Sequence, residues 1–234
     1  MTTGHPTGLP TGLPTGLPTG APAGLARALP AGFRLIGLTG GIGTGKSTVG
    51  RLLTARGFPV MDADELARAA VEPGTPALAE IGATWPDVIG ADGRLDRARL
   101  AQRVFADAAA RVRLEAILHP RIVALSNARA AALAAAGHRV AFYEASLLVE
   151  TGRHGELDGL LVVDAPEDVR IARVVARDGA TPETVRARMA AQLPMADKRR
   201  VATAVIDNDA DLPALERQLE RALARLGLAP SPPG

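Results

Sequence analysis

The stretch Gly40-Gly41-Ile42-Gly43-Thr44-Gly45-Lys46-Ser47 has the spacing G-x-x-x-x-G-K-[ST] of a phosphate-cradling loop. Glycine backbone reaches conformations closed to other residues, so successive N–H groups can turn inward around an anion. A helix opening at Lys46 would add its own unpaired N–H groups and the positive end of its dipole. Residues Gly41, Ile42, Gly43, Thr44, Gly45, Lys46, Ser47 and Thr48 are therefore expected to hold a triphosphate. Lys46 would reach the β- and γ-phosphates, and the Ser47 hydroxyl would take a Mg²⁺ position.

A second set of chemical groups is Asp62-Ala63-Asp64. Carboxylates at the carboxyl end of a strand sit where open α/β sheets bind ligands. If the strand runs as far as Asp64, residues i and i+2 share a face and both carboxylates could point at the phosphates. One could take a proton from an attacking hydroxyl, and the other could hold Mg²⁺ through water. The plainer alternative is that Asp64 caps the helix that follows. A third set is the run of arginines at 170, 173, 177, 186 and 188. Guanidinium groups suit triphosphate oxygens in a lid that closes over a nucleotide. Most of these arginines are expected on a solvated face, with Arg177, near the turn at Gly179, the one placed for a lid. His119, next to Pro120, reads by itself as a packed or capping residue before a catalytic one.

The elements that must position these groups can be read from the same chain. Residues 33–39 form an apolar run of strand length ahead of the glycine loop, and residues 48–56 read as the helix after it. Further strands are expected at 58–61, 139–144, 160–163 and 201–206, the third of these apolar enough for a buried parallel strand. Asp164 reads as a strand-end turn residue before Pro166. Between the second and third strands lies a helical excursion without strands, with a break near Asp107 and an end at His119-Pro120. A separate alanine-rich helix should then run from 121 to 136, and residues 167–191 should form two helices joined at Gly179.

Composition bounds the reading. The chain has 234 residues, room for one domain with a sizeable core and a small insertion. Its 27 basic and 25 acidic residues are nearly balanced and form no basic block, which argues against a nucleic-acid or membrane-surface role. The absence of cysteine excludes disulfides and thiolate chemistry and fits a cytoplasmic protein. No run has the length of a spanning helix, and the start lacks the charged-then-apolar pattern of a signal peptide. Residues 1–32 carry Thr-Gly-Leu-Pro repeats and are expected to be a disordered extension, with residues 229–234 a frayed tail.

Alternating strands and helices, a phosphate loop after the first strand and an arginine-rich segment before the last describe a P-loop kinase of small substrates. At this level the sequence resembles the dephospho-CoA kinase family. The resemblance is carried by residues 38–48, Asp62-Ala63-Asp64, Val71-Glu72-Pro73-Gly74, Ala91-Asp92-Gly93-Arg94-Leu95, Leu118-His119-Pro120, Leu147-Leu148-Val149-Glu150, Arg177-Asp178, Ala191-Gln192 and Val205-Ile206-Asp207-Asn208. These occur in the family's order and span about 33–226. Ala145-Ser146 stands where the family usually has a proline, and Asp209-Ala210-Asp211 replaces a glycine after the last asparagine.

The resemblance implies an α/β P-loop NTPase three-layer fold with a central parallel sheet, a helical substrate-binding insertion at about 72–120 and an arginine-rich lid at about 167–192. It implies transfer of the ATP γ-phosphoryl group to the ribose 3′-hydroxyl of dephospho-CoA, with ATP and Mg²⁺ required; a monomer is expected, with an oligomer left open because the sequence does not give the oligomeric state. Asp64 would be the base, Asp62 a second acid on Mg²⁺ water or substrate, and Arg177 the neutraliser of charge on the moving phosphoryl group. His119 would lie near the acceptor. Two other readings stay open at this point: a kinase of another small acceptor, such as a nucleoside monophosphate or shikimate, and a nucleotide-dependent switch module. The second would need an Asn-Lys-x-Asp segment, which the sequence lacks.

Overall fold

The apolar run ahead of the glycine loop forms β1 (Arg34–Gly40), and every residue after Arg34 is buried. The computed structural model describes residues 29–228; the expectations for residues 1–28 and 229–234 lie outside it. From β1 the chain continues through α1 (Lys46–Ala55), β2 (Val60–Asp62), α2 (Ala63–Ala69), α3 (Pro76–Thr84), α4 (Arg97–Ala106) and α5 (Ala108–Ala135). It then forms β3 (Val140–Glu144), β4 (Leu160–Asp164), α6 (Glu167–Asp178), α7 (Pro182–Ala190), α8 (Met195–Arg200), β5 (Ala204–Asp207) and α9 (Leu212–Arg225).

Among the described residues the strands make one parallel sheet in the order β2-β3-β1-β4-β5. The order changes direction at β1, so the loops leaving the carboxyl ends of the central strands diverge and leave room for a ligand there. Ile36 lies opposite Phe142, Leu38 opposite Leu161, and Asp62 opposite Glu144. Alternation sends Ile36, Leu38, Phe142, Leu161, Val163 and Ile206 to one face, where they meet Val49 and Leu53 of α1 and Leu215, Leu219 and Leu223 of α9. The other face carries Leu35, Ala141, Tyr143, Leu160 and Val162, buried as well. Burial on both faces is why these strands read as nearly unbroken apolar runs.

The chain divides into two compact units, residues 64–125 and the remainder. The first is helical, and its core gathers Val71, Ile81, Trp85, Val88, Leu100, Leu114 and Ile117. Its helix starts are chemically specified. Thr75 accepts a hydrogen bond from the Leu78 N–H at 3.3 Å with Pro76 just inside α3, and Asp96 accepts from Ala98 and Arg99 at 3.1 and 3.0 Å to open α4. Asp107 does the same for α5, accepting from Ala109 at 2.8 Å, so the expected break falls there.

Two sequence expectations are corrected. Pro120 does not end a helix, because α5 runs through it from Ala108 to Ala135. A proline inside a helix costs about 3 kcal/mol. That cost is outweighed by a buried stripe that continues on both sides of it, through Ala110, Leu114, Ile117, Val123, Ser126 and Ala130. Likewise β2 stops at Asp62 and α2 begins at once, so Asp64 lies in the first turn of a helix and shares no strand face with Asp62. Asp64 and Glu65 there complement the positive end of the helix.

Phe142 is fully buried at the centre of this sheet and meets the Phe58 ring edge-on at 5.8 Å. Phe142→Ala is expected to lower the unfolding free energy by about 3–5 kcal/mol, measured by chemical denaturation.

Candidate functional site

The glycine loop sits at the carboxyl end of β1, and two of its residues need glycine for conformational reasons. Gly43 and Gly45 have φ of 78° and 89°, in the region that side-chain-bearing residues rarely enter. A Cβ on Gly43 would also stand 2.5 Å from the Arg170 carbonyl oxygen. Gly45 is the residue before α1, and no side chain caps that helix. The first N–H groups of α1 are thus left for an anion.

The loop's outward-facing polar groups are taken up by side chains from far along the chain. Thr44 closes the turn, its N–H and hydroxyl both donating to the Gly41 carbonyl at 3.3 and 2.9 Å. Asn208 Nδ2 donates to the Thr44 carbonyl at 2.8 Å, and Arg170 Nε donates to the Ile42 carbonyl at 2.9 Å. The Ile42 N–H donates to Gln192 Oε1 at 2.9 Å. Arg170 is buried against the loop, and that burial pulls its guanidinium below the usual arginine value, opposed by the Asp164 and Glu167 carboxylates.

Lys46 and Ser47, the first residues of α1, turn toward β3. Lys46 Nζ lies 2.5 Å from Glu144 Oε1, and the Ser47 hydroxyl donates to the same oxygen at 3.4 Å. The two side chains of the pair are only 15% and 11% exposed, so this is a shielded contact. Helix α1 can approach β3 this closely because Gly50 faces the carboxylate; a Cβ there would lie 2.7 Å from Glu144 Oε2. Asp62 ends β2 directly opposite Glu144. In a parallel sheet this puts Asp62 on the same face one strand spacing away, about 4.8 Å.

A second ionic link lies beside the loop. Lys198 of α8 is fully buried and its Nζ contacts Glu150 Oε1 at 2.6 Å while donating to the Ser146 carbonyl at 2.9 Å. The same Glu150 oxygen accepts the Leu193 N–H at 3.2 Å, next to the Gln192 that grips Ile42. Burial pushes Lys198 below the ordinary lysine value, and the Glu150 carboxylate works against that shift. Ser146, where the family usually has proline, also accepts from the Thr39 hydroxyl at 3.3 Å. Further along the sheet edge, Arg199 bridges Asp164, at 3.0 Å, and Asp207. The Asp207 contact above all raises the Arg199 pKa. Asp211, in the segment that departs from the family, caps α9 by accepting from Ala214 at 2.9 Å.

The sequence-derived candidates fall as follows. Residues 41–48 form one loop and helix start, with Lys46 and Ser47 on Glu144. Asp62 joins that group through the sheet register. Asp64 and His119 belong to the helical unit, in the first turn of α2 and in the middle of α5. Arg177 lies in the last turn of α6 with its side chain 64% exposed, its Nε and Nη2 donating to the two oxygens of Asp178 at 2.7 and 3.0 Å. That contact raises its pKa. Within the helical unit, Val71, Glu72, Pro73, Arg94, Leu95 and Arg97 line a small hollow, with Arg94 on Glu72 at 3.2 Å. Sequence reasoning missed Glu144 and the Lys198–Glu150 pair, placed Arg170 only in an arginine run expected to be mostly solvated although it is buried, and assigned no role to Gln192 or Asn208. A charge closing an apolar strand was the one available signal for Glu144.

The profile of the dephospho-CoA kinase family (CoaE) matches residues 34–214. The chain is 53% identical over 194 residues to a dephospho-CoA kinase of Anaeromyxobacter dehalogenans, covering 82% of this chain and 92% of that relative. It is 49% identical over 195 residues to the dephospho-CoA kinase of Methylococcus capsulatus, covering 83% and 97%. The solved structure of TT1252 from Thermus thermophilus superposes with a TM-score of 0.73 at 42% identity, covering 83% of this chain and 98% of that one.

Breaking the buried Lys198–Glu150 pair from one side leaves a carboxylate without its countercharge. Lys198→Ala is expected to destabilise the protein by about 3–5 kcal/mol, and the double variant Lys198→Met/Glu150→Leu to regain most of that. A denaturant double-mutant cycle reads both values.

Proposed function

The chain belongs to the dephospho-CoA kinase family, ATP-dependent kinases of dephospho-CoA, and from that premise we propose how its own residues divide the work. The observation that carries the proposal is the uncapped start of α1, with Lys46 and Ser47 meeting one carboxylate at the end of the neighbouring strand.

In this reading the N–H groups of residues 41–48 and the α1 dipole seat the ATP triphosphate. Glu144 holds Lys46 in place until the phosphates arrive, and the ammonium then turns to their oxygens. Ser47 Oγ and Glu144 Oε1 are hard oxygen donors on one side of the loop, a donor set that suits Mg²⁺. Asp62 stands beside them and would act through water. Mg²⁺ supplies charge neutralisation on the β- and γ-phosphates when bound. Asp64 takes the proton from the ribose 3′-hydroxyl, and that oxygen bonds to the γ-phosphorus as the bond from this phosphorus to the β–γ bridging oxygen breaks and ADP leaves. Arg177 would have to leave Asp178 to meet the moving phosphoryl group. His119 and the helical unit 64–125 serve the acceptor. Such transfer depends mostly on positioning and on fixed opposing charge rather than on covalent chemistry.

ADP release coupled to dephospho-CoA, with the phosphate located on the 3′-oxygen of the product, tests this assignment. Lys46→Met and Asp64→Asn are expected to lower turnover by about 10²-fold or more, with unfolding curves unchanged in shape. Turnover of a nucleoside monophosphate or of shikimate, with none on dephospho-CoA, would overturn it. Glu144→Gln is expected to raise the Mg²⁺ concentration needed for half-maximal turnover. An unshifted Mg²⁺ titration would remove Glu144 from the metal's surroundings.

A further inference from the structure

The last two residues of β3 serve opposite faces of the sheet. Glu144 meets Lys46, and Tyr143, one residue earlier, projects to the other side. Tyr143 is fully buried, yet its hydroxyl has no hydrogen-bond partner among the described residues. The Arg153 guanidinium lies over its ring, 5.8 Å from the ring centre, within the range of cation–π attraction. Arg153 opens a single 3₁₀ turn (Arg153–Glu156) that is held on both sides. The His154 N–H donates to the Leu148 carbonyl at 3.0 Å, and the Asp158 carboxylate accepts the Leu35 N–H at 2.7 Å. Leu157 packs over Gly37, where a Cβ would come within 2.8 Å of it. Tyr143 and Arg153 both belong to the sheet-bearing unit.

Stacking holds the flat face of the guanidinium and uses none of its N–H groups. Nε and Nη2 of Arg153 are both buried and both without a partner among the described residues. They form the same edge that Arg177 presents to the two oxygens of Asp178, so a fork suited to paired oxygens stands empty here. Arg153 as a whole is part exposed, so solvent reaches the residue that carries the fork. Buried donors left unsatisfied are costly and call for a reason. The fork and the Tyr143 hydroxyl together offer three donor atoms and one positive charge, and a ligand that meets them must accept hydrogen bonds and carry negative charge. The fork alone would occupy both oxygens of a carboxylate; a phosphate group has a further oxygen for the hydroxyl. We infer that Arg153 and Tyr143 form an oxyanion site for a phosphate group, on the face of β3 opposite the nucleotide loop. Two sources share that chemistry, the diphosphate of dephospho-CoA and free inorganic phosphate. The first source rests on the acceptor named above; the site itself rests on its own geometry.

Isothermal titration of the full chain with dephospho-CoA, inorganic phosphate and ADP, each alone, tests the inference. Arg153→Gln is expected to weaken dephospho-CoA by about tenfold or more and Tyr143→Phe by about threefold, with ADP held as by the wild type. Arg153→Lys, a point charge without the fork, should regain only part of the loss. A loss seen with inorganic phosphate but not with dephospho-CoA assigns the site to the free anion. Without ligand, Tyr143→Phe should melt no lower than wild type, because the hydroxyl it removes has no partner. A clearly lower melting temperature would mark that hydroxyl as structural and overturn the inference. Unchanged affinity of Arg153→Gln for both dephospho-CoA and phosphate overturns it as well, as does an equal loss of ADP. Failure of the wild type to bind ADP would count against the nucleotide site alone, since the other two titrations do not depend on it.

Discussion

The structure depends on holding a short glycine-rich backbone in a shape it would not keep alone. A loop with positive φ at Gly43 and Gly45 has many alternatives in the unfolded chain, and glycine loses more freedom on folding than any other residue. Its shape is imposed from outside. Asn208 just after β5, Arg170 on α6 and Gln192 after α7 take up carbonyl and amide groups of the loop. With those groups satisfied, the N–H groups that remain open are the ones an anion can use. The sheet order makes this possible, because β4 pairs with β1 and β5 with β4, so the segments that follow them deliver the three clamps to the same loop.

Charge around the loop is arranged in the same spirit. Several cations beside the loop are paired with a carboxylate or occupied by a carbonyl. Lys46 is shielded with Glu144, and Lys198 is buried with Glu150. A buried pair contributes little net stability, since desolvation offsets most of the attraction. Its value here is positional. Glu150 fixes the backbone at Leu193, one residue after Gln192, so the clamp on Ile42 inherits its place from a carboxylate on the far side of β3. Gly50 shows the same logic at smaller scale, a missing side chain that lets Glu144 reach Lys46.

Much of this protein was legible in its sequence because the signals are local. The spacing of glycines, Lys46 and Ser47 dictates a phosphate loop whatever surrounds it. Apolar runs at 34–40 and 160–164 dictate buried parallel strands, and Thr75, Asp96 and Asp107 mark helix starts because a cap bonds to residues two or three positions on. The quoted segments also sufficed to place the chain in its family.

What only the tertiary structure decided are the partnerships across long stretches of chain. Glu144 reaches Lys46 across 98 residues and Asn208 reaches Thr44 across 164; no periodicity carries that information. Pro120 misled because a local rule, the missing N–H, lost to a buried stripe whose partners are distant. Among the arginines of α6 the sequence set apart only Arg177, by its place near the turn at Gly179. Their separate positions follow from which neighbour stands opposite each one: a carbonyl for Arg170 and a carboxylate for Arg177.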